Sequence, residues 1–325
     1  MTRPAVAVLL ATYAAIGLAS TGHGEDHALL ARILLVVFGF LLFSVACNDI
    51  TDARIDAVNL AGDRRRPLVV GGANRIEMLA IGIVSAALAL VVAATLGWFA
   101  LAVVAAGLAL SVGYSVRPVR VADRGALASL LLPACYVAVP FLVGHGPLHR
   151  PAGLVVLAGL YVGFIGRILL KDFRDVRGDA LFGKRTFLVR HGRGPTCVFS
   201  AICLALGAVL LLAGVDHPTI ALVGGYAAGT VAMVALLAAL HTDRGPRRDE
   251  LLISAVAIVG RGMLLLLLAH QELVTAAWAP WAYDGVLAAL IALTAAQAVI
   301  MLRHGPASRW AMAPQRTGVT ANRSG

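Results

Sequence analysis

The sequence predicts an all-α polytopic membrane protein, a bundle of nine or ten transmembrane helices. Three observations lead there. Of the 325 residues, 60% are apolar and only 14% charged, against roughly 25% charged in an ordinary soluble domain. The apolar residues lie in long runs. The basic residues are confined to alternate loops between those runs. This composition excludes a disordered chain, a coiled coil and a small disulfide scaffold. It also argues against a soluble enzyme, which lacks the polar surface to cover so much apolar side chain.

The runs cover 5–20, 31–47, 78–97, 99–115, 126–144, 152–170, 196–214, 219–240, 251–270 and 283–302. A helical span takes about 20 apolar residues, and only fully hydrogen-bonded backbone is stable in lipid. The 5–20 run is the weakest, because its short apolar stretch and small residues also suit a signal peptide. The 251–270 run is next, because it contains Arg261.

The net charge is +10, from 27 Lys+Arg against 17 Asp+Glu. With Asp49–Arg75 on the cytoplasmic side, the loops of that side hold 23 of the 27 basic residues. That asymmetry follows the positive-inside rule. It places both termini in the cytoplasm of a protein integral to the membrane, expected to be a bacterial cell membrane. Arg167 and Arg261 fall inside spans, where a charge pairs internally, snorkels or faces a polar interior. Cys47, Cys135, Cys197 and Cys203 lie in or near apolar runs without metal spacing and read as structural thiols.

The acids are the sharper signal. Six of the seventeen fall in two segments, Asn48-Asp49-Ile50-Thr51-Asp52-Ala53-Arg54-Ile55-Asp56 and Lys171-Asp172-Phe173-Arg174-Asp175-Val176-Arg177-Gly178-Asp179. Both repeat a +3, +4 spacing, which on a helix stacks three carboxylates on one face. Both begin where a span ends, on the same predicted side. A plain alternative is a solvated helix end whose acids pair with Arg54, Arg174 and Arg177. Two matched triads favour a site for Mg²⁺ and a diphosphate, since Mg²⁺ takes hard oxygen ligands and completes its shell with water and phosphate oxygens. Cations stand beside them in the loops Gly62–Gly71 and Gly183–Thr186, and in Tyr114–Arg120. Lys171 and Lys184 are the only lysines of the chain.

These residues resemble the UbiA superfamily of intramembrane prenyltransferases. Asn48-Asp49-x-x-Asp52-x-x-x-Asp56 is similar to its first motif, and Asp172-x-x-Asp175-x-x-Gly178-Asp179 to its second. Arg66-Pro67-Leu68-x-x-Gly71 and Tyr114-Ser115-x-x-Pro118 resemble two further loops. Ala53 stands where many relatives have Arg, and Leu188 where a Pro often follows, departures that bear on the acceptor.

The resemblance implies a helical bundle around a central cavity, with residues 1–304 as the prenyltransferase domain, while the small, polar composition of 305–325 reads as a disordered cytoplasmic tail. It implies Mg²⁺-dependent transfer of a prenyl group from an isoprenyl diphosphate to an aromatic or lipid-like acceptor within the membrane. Asn48, Asp49, Asp52, Asp56, Asp172, Asp175 and Asp179 would hold the metal–diphosphate. Arg66, Lys171, Lys184 and Arg185 would donate to the departing oxygens. Tyr114 would contact the diphosphate or steady a developing cation. The expected partners are the isoprenyl diphosphate, an acceptor of unread type and membrane lipid, with no nucleic acid. Two competing readings are a transporter using the Asp clusters as ion sites and another Mg²⁺-dependent lipid transferase. Acids at span ends, and not mid-span, disfavour the transporter.

Overall fold

A computed structural model describes residues 3–59, 67–173, 186–242 and 245–305, apart from the side chains of 58, 59 and 126. Among these, every element is helical. In order they are α1 Pro4–Ala19, α2 His27–Asn59, α3 Arg75–Leu96, α4 Trp98–Ser115, α5 Ala126–Pro133, α6 Val139–His145, α7 Pro151–Leu169, α8 Phe187–His191, α9 Arg193–Ala213, α10 Ile220–His241, α11 Pro246–Thr275 and α12 Pro280–His304. A π-helical turn, Ala134–Ala138, follows Pro133 and joins α5 to α6 as one span.

Among the described residues, nine spans are long and apolar enough to cross a membrane: α2, α3, α4, α5 with α6, α7, α9, α10, α11 and α12. The remaining run, 5–20, forms α1, whose 16 residues make a shorter apolar helix, about 24 Å at 1.5 Å per residue. The 251–270 run, weak on sequence because of Arg261, lies within a 30-residue helix and is well buried. Arg261 is half-buried there and donates from Nε to the Ala257 carbonyl at 3.3 Å. The tail beyond 305 lies outside the described residues.

Two apolar cores lie side by side. One gathers α2, α3 and α4 with part of α5–α6. The other gathers α7, α9, α10, α11 and α12. α1 serves both, giving Leu10, Ala14 and Leu18 to the first and Leu9, Tyr13 and Ile16 to the second. A helix wedged between two apolar neighbours needs no polar face, and α1 has none.

Lipid is as apolar as a leucine core, so helices in it associate through close packing and interhelical hydrogen bonds. The α7–α9 crossing shows both. A Cβ on Gly207 would stand 2.8 Å from the Gly163 Cα, and one on Gly166 would stand 2.7 Å from the Ser200 carbonyl oxygen. Ser200 Oγ donates to the Gly166 carbonyl at 2.5 Å. α1 meets α6 in the same way, since a Cβ at Gly17 or Gly144 would collide with the facing backbone. The outward faces carry the lipid-facing side chains, among them Ile83, Val84 and Val91 of α3 and Ile202, Leu206 and Val209 of α9. Trp98, Trp278 and Trp281 are exposed at the helix turns of one end, as an interfacial aromatic belt requires. The acids lie at the other end.

Candidate active site

α2 overruns its apolar stretch and stays helical to Asn59, so Asn48–Asp56 is helix and not loop. The +3 and +4 spacing therefore stacks Asp49, Asp52 and Asp56 on one face. That face turns inward: the three residues are 3%, 8% and 8% exposed. Arg54, placed among them in sequence, is exposed. A solvated acidic helix end neutralised by its own arginine is not what forms.

Buried carboxylates require partners, and two arrive from elsewhere in the chain. Arg3, the residue before α1, places Nη2 2.5 Å from Asp49 Oδ1 and 3.4 Å from Asn48 Oδ1. Arg120, between α4 and α5, donates from Nη2 to Asp52 Oδ1 at 2.6 Å. Its Nε reaches Asp123 Oδ2 at 2.6 Å and its Nη1 the Ser115 carbonyl at 3.3 Å. Asn48 Nδ2 donates to Asp52 Oδ2 at 2.9 Å and so joins the two pairs. Arg120 holds a left-handed backbone, φ 30° and ψ 68°, which costs about 1–3 kcal/mol for a residue with a Cβ. Its three hydrogen-bonded contacts hold it there. Burial favours a neutral guanidine, but the Asp123 hydrogen bond and the Asp52 charge outweigh that and push its pKa up. Arg120 is thus a fixed cation.

One residue of the second motif, Asp172, lies within electrostatic range of the same tyrosine as Asp52 of the first. α7 ends at Leu169, a turn follows, and Asp172 is half-buried just beyond it. Tyr114, in the last turn of α4, lies within electrostatic range of both Asp52 and Asp172. Lys171 is exposed at the same mouth. The structure thus brings Asn48, Asp49, Asp52 and Tyr114 together, with Asp172 in range. Arg66, Asp175, Asp179, Lys184 and Arg185 lie outside the described residues.

Below the polar mouth is an aromatic layer. Tyr136 stands in the π turn, near Ser44 and within electrostatic range of Arg3 and Asp49. Its ring is 6.2 Å from that of Phe164, which is 6.3 Å from Tyr13 in an edge-on contact. Arg167, one turn along α7 from Phe164, is in electrostatic range of Tyr13. Single π turns inside helices recur at functional sites, and Tyr136 stands in one here.

Arg3, Asp123 and Tyr136 escaped assignment on sequence, and Arg120 was read only as one cation of the Tyr114–Arg120 loop. A lone arginine before the first span is indistinguishable from topology signal, and an aromatic in an apolar run reads as core. A cavity of about 540 Å³ opens at the opposite end of the bundle, among His145, His149, Arg150, Asp216, His270 and Gln271.

A membrane bundle with inward carboxylates held by arginines, set above an aromatic layer, is the site of a membrane-embedded enzyme for a substrate with an anionic head and an apolar tail. Residues 8–256 match the model of the UbiA prenyltransferase family, and the chain belongs to that family. It is 28% identical over 261 residues to the bacteriochlorophyll synthase 34 kDa chain of Chloroflexus aurantiacus, spanning 75% of this chain and 79% of that protein. It is 31% identical over 174 residues to a digeranylgeranylglyceryl phosphate synthase of Methanopyrus kandleri, spanning 53% of this chain and 61% of that one. The fold is also that of a UbiA homolog from Archaeoglobus fulgidus solved with DMAPP and Mg²⁺. That likeness has a TM-score of 0.56 at 14% identity and covers 92% of this chain and 96% of that chain.

Proposed function

We propose that the protein transfers a prenyl group from an isoprenyl diphosphate to an aromatic or lipid-like acceptor dissolved in the membrane. The observation that carries this is the inward face of Asp49, Asp52 and Asp56, met by Arg3, Arg120 and Tyr114 at one mouth of a lipid-embedded bundle. A prenyl diphosphate is an amphiphile whose tail dissolves in the bilayer and whose head requires cations. The relatives are named for a pigment and for a glyceryl phosphate lipid, which supports a membrane-dissolved acceptor.

The donor set fits Mg²⁺. Its carboxylate and amide oxygens are the hard ligands this ion takes, with no sulfur or imidazole among them. No three acidic, histidine or cysteine side chains among the described residues converge on one point. Mg²⁺ does not need that, since one or two carboxylates suffice when water and phosphate oxygens complete the shell. Asp49 and Asp52 from the first motif and Asp172 from the second would hold it. Bound there, Mg²⁺ supplies a Lewis acid that neutralises charge growing on the leaving diphosphate.

The chain's own residues do the rest. Arg120 offers a pre-positioned cation to the diphosphate oxygens. The bond between C1 and the bridging oxygen breaks, and the diphosphate leaves with the electron pair. The acceptor's nucleophilic atom bonds to C1 and gives up its proton. Tyr136, Phe164 and Tyr13 keep the layer beneath the mouth apolar, excluding water that would capture the allylic cation. Tyr114 offers its ring to that cation. The bias of 23 of 27 Lys+Arg to the side that carries the mouth supports a cytoplasmic mouth, as expected for a bacterial cell membrane protein.

The test is direct. Membranes containing the protein are incubated with a labelled C20 prenyl diphosphate, Mg²⁺ and a panel of ring-bearing and glyceryl phosphate acceptors. Label in an acceptor supports the assignment. Label that remains in the diphosphate with every acceptor and chain length overturns it.

A further inference from the structure

Arg3 pairs with an acid that the metal would use. Its Nη2 stands 2.5 Å from Asp49 Oδ1, and the positive charge of the guanidinium there opposes the approach of a divalent cation. The two partners differ in freedom. The Asp49 side chain is 3% exposed and fixed on α2, while that of Arg3 is 24% exposed and springs from a backbone outside α1. Arg120 is anchored by Asp123 and Ser115 as well as Asp52. The side-chain hydrogen bonds of Arg3 among the described residues go to Asn48 and Asp49.

We propose that Arg3 is a latch on the first motif. It neutralises Asp49 in the empty enzyme and passes to the diphosphate when metal and diphosphate arrive together. This rests on the metal–diphosphate reading given above. A buried carboxylate stripped of the guanidinium that pairs with it carries a desolvation penalty, so Arg3 leaves Asp49 as another cation takes its place. The arriving diphosphate offers the guanidinium a bidentate anion. Asp49 then exchanges Arg3 for the metal and is never left as a bare buried charge. The consequence is coupling: the metal alone must compete with Arg3, whereas the metal with diphosphate need not. Arg3 is therefore a ligand-binding residue that also keeps the site from filling with metal in the absence of substrate.

The experiment titrates the purified full-length protein in lipid nanodiscs with Mn²⁺ alone, following free Mn²⁺ by electron paramagnetic resonance. The forms compared are wild type, Arg3→Ala and Arg3→Lys, each checked for a cooperative unfolding transition. Arg3→Ala is expected to bind bare Mn²⁺ about tenfold more tightly than wild type, and its KM for prenyl diphosphate to rise about tenfold, the size of one lost charged hydrogen bond. Arg3→Lys keeps the charge and is expected to stay close to wild type in Mn²⁺ affinity, which tests the latch even if the alanine form is unstable. Bare Mn²⁺ affinity that is unchanged or weaker in Arg3→Ala, in an enzyme whose transfer still requires Mg²⁺, overturns the latch alone. Transfer indifferent to chelator in wild type overturns the metal reading beneath it.

Discussion

Arg193, the first residue of α9, closes on Asp249 in the first turn of α11. Its Nη1 reaches Asp249 Oδ1 at 3.1 Å, and its Nη2 pairs with Oδ2. Nη1 also donates to the Leu240 carbonyl at 2.6 Å, where α10 ends. One guanidinium thus ties three helices together on the side of the bundle that carries the acids. Its Cζ lies 5.1 Å from the ring centroid of Phe173, the residue after Asp172.

Asp249→Ala should be strongly destabilising. The Asp249 side chain is 9% exposed, and removing one partner of a buried pair leaves the other charge uncompensated, at about 3–5 kcal/mol. Thermal unfolding in detergent reads this as a clear drop in midpoint. Because Arg193 also covers Phe173, the variant should lose some transfer even below its midpoint. A midpoint within error of wild type would show that the pair is incidental.

Asp52→Ala and Asp172→Ala should each lower transfer by about 100-fold or more, the scale of losing one electrostatic stabiliser in a dry site. Both proteins should still insert and fold. Asp52→Ala leaves Arg120 with Asp123 and Ser115, so its guanidinium is not stranded. Near wild-type transfer in either variant would remove that residue from the active site.

Chelation should abolish transfer, and Mg²⁺ should restore it. Zn²⁺ should restore it poorly, because the site presents oxygen donors without imidazole or thiolate. Activity that survives exhaustive treatment with EDTA would exclude a metal role for the Asp motifs.

Tyr114 distinguishes two roles. If its ring steadies the allylic cation, Tyr114→Phe keeps most activity, and Tyr114→Ala loses about 10- to 30-fold, equivalent to about 1–2 kcal/mol. If the hydroxyl matters, the phenylalanine form falls as far as the alanine form. Steady-state kcat and KM for the pair decide it.

Gly207→Leu should loosen the bundle without touching the chemistry. A Cβ there would meet the Gly163 Cα at 2.8 Å, so α7 and α9 must separate. Overpacking of this kind costs about 1–3 kcal/mol and shows as a lower unfolding midpoint. An unchanged midpoint would mean that the crossing yields without cost.

Much of the site was legible because its chemistry is periodic. The +3, +4 spacing of Asp49, Asp52 and Asp56 announces a shared face in any helix that contains it. Its direction was not legible: a helix face turns to solvent or to the core according to what packs beside it, and Arg54 offered a plausible local partner. The partners that exist, Arg3 and Arg120, lie 46 and 68 residues from Asp49 and Asp52. Nothing in sequence distance marks them, and the positive-inside bias supplies an arginine at such positions anyway. The run at 251–270 was undervalued for a related reason. Arg261 weakens its hydropathy, yet its half-buried guanidinium bonds to its own helix.

The sequence by itself determined the class of this protein, the number of apolar helices, the sidedness of its charge and the identity of its acids. Those properties depend on composition and on periods of a few residues, which are local. The tertiary structure decided which way the acids face, which arginines hold them, and that α1 is the wedge between two cores. Those depend on contacts between segments far apart in the chain. In lipid such contacts are chosen by close packing of small residues and by the pairing of buried charge, and neither leaves a periodic mark.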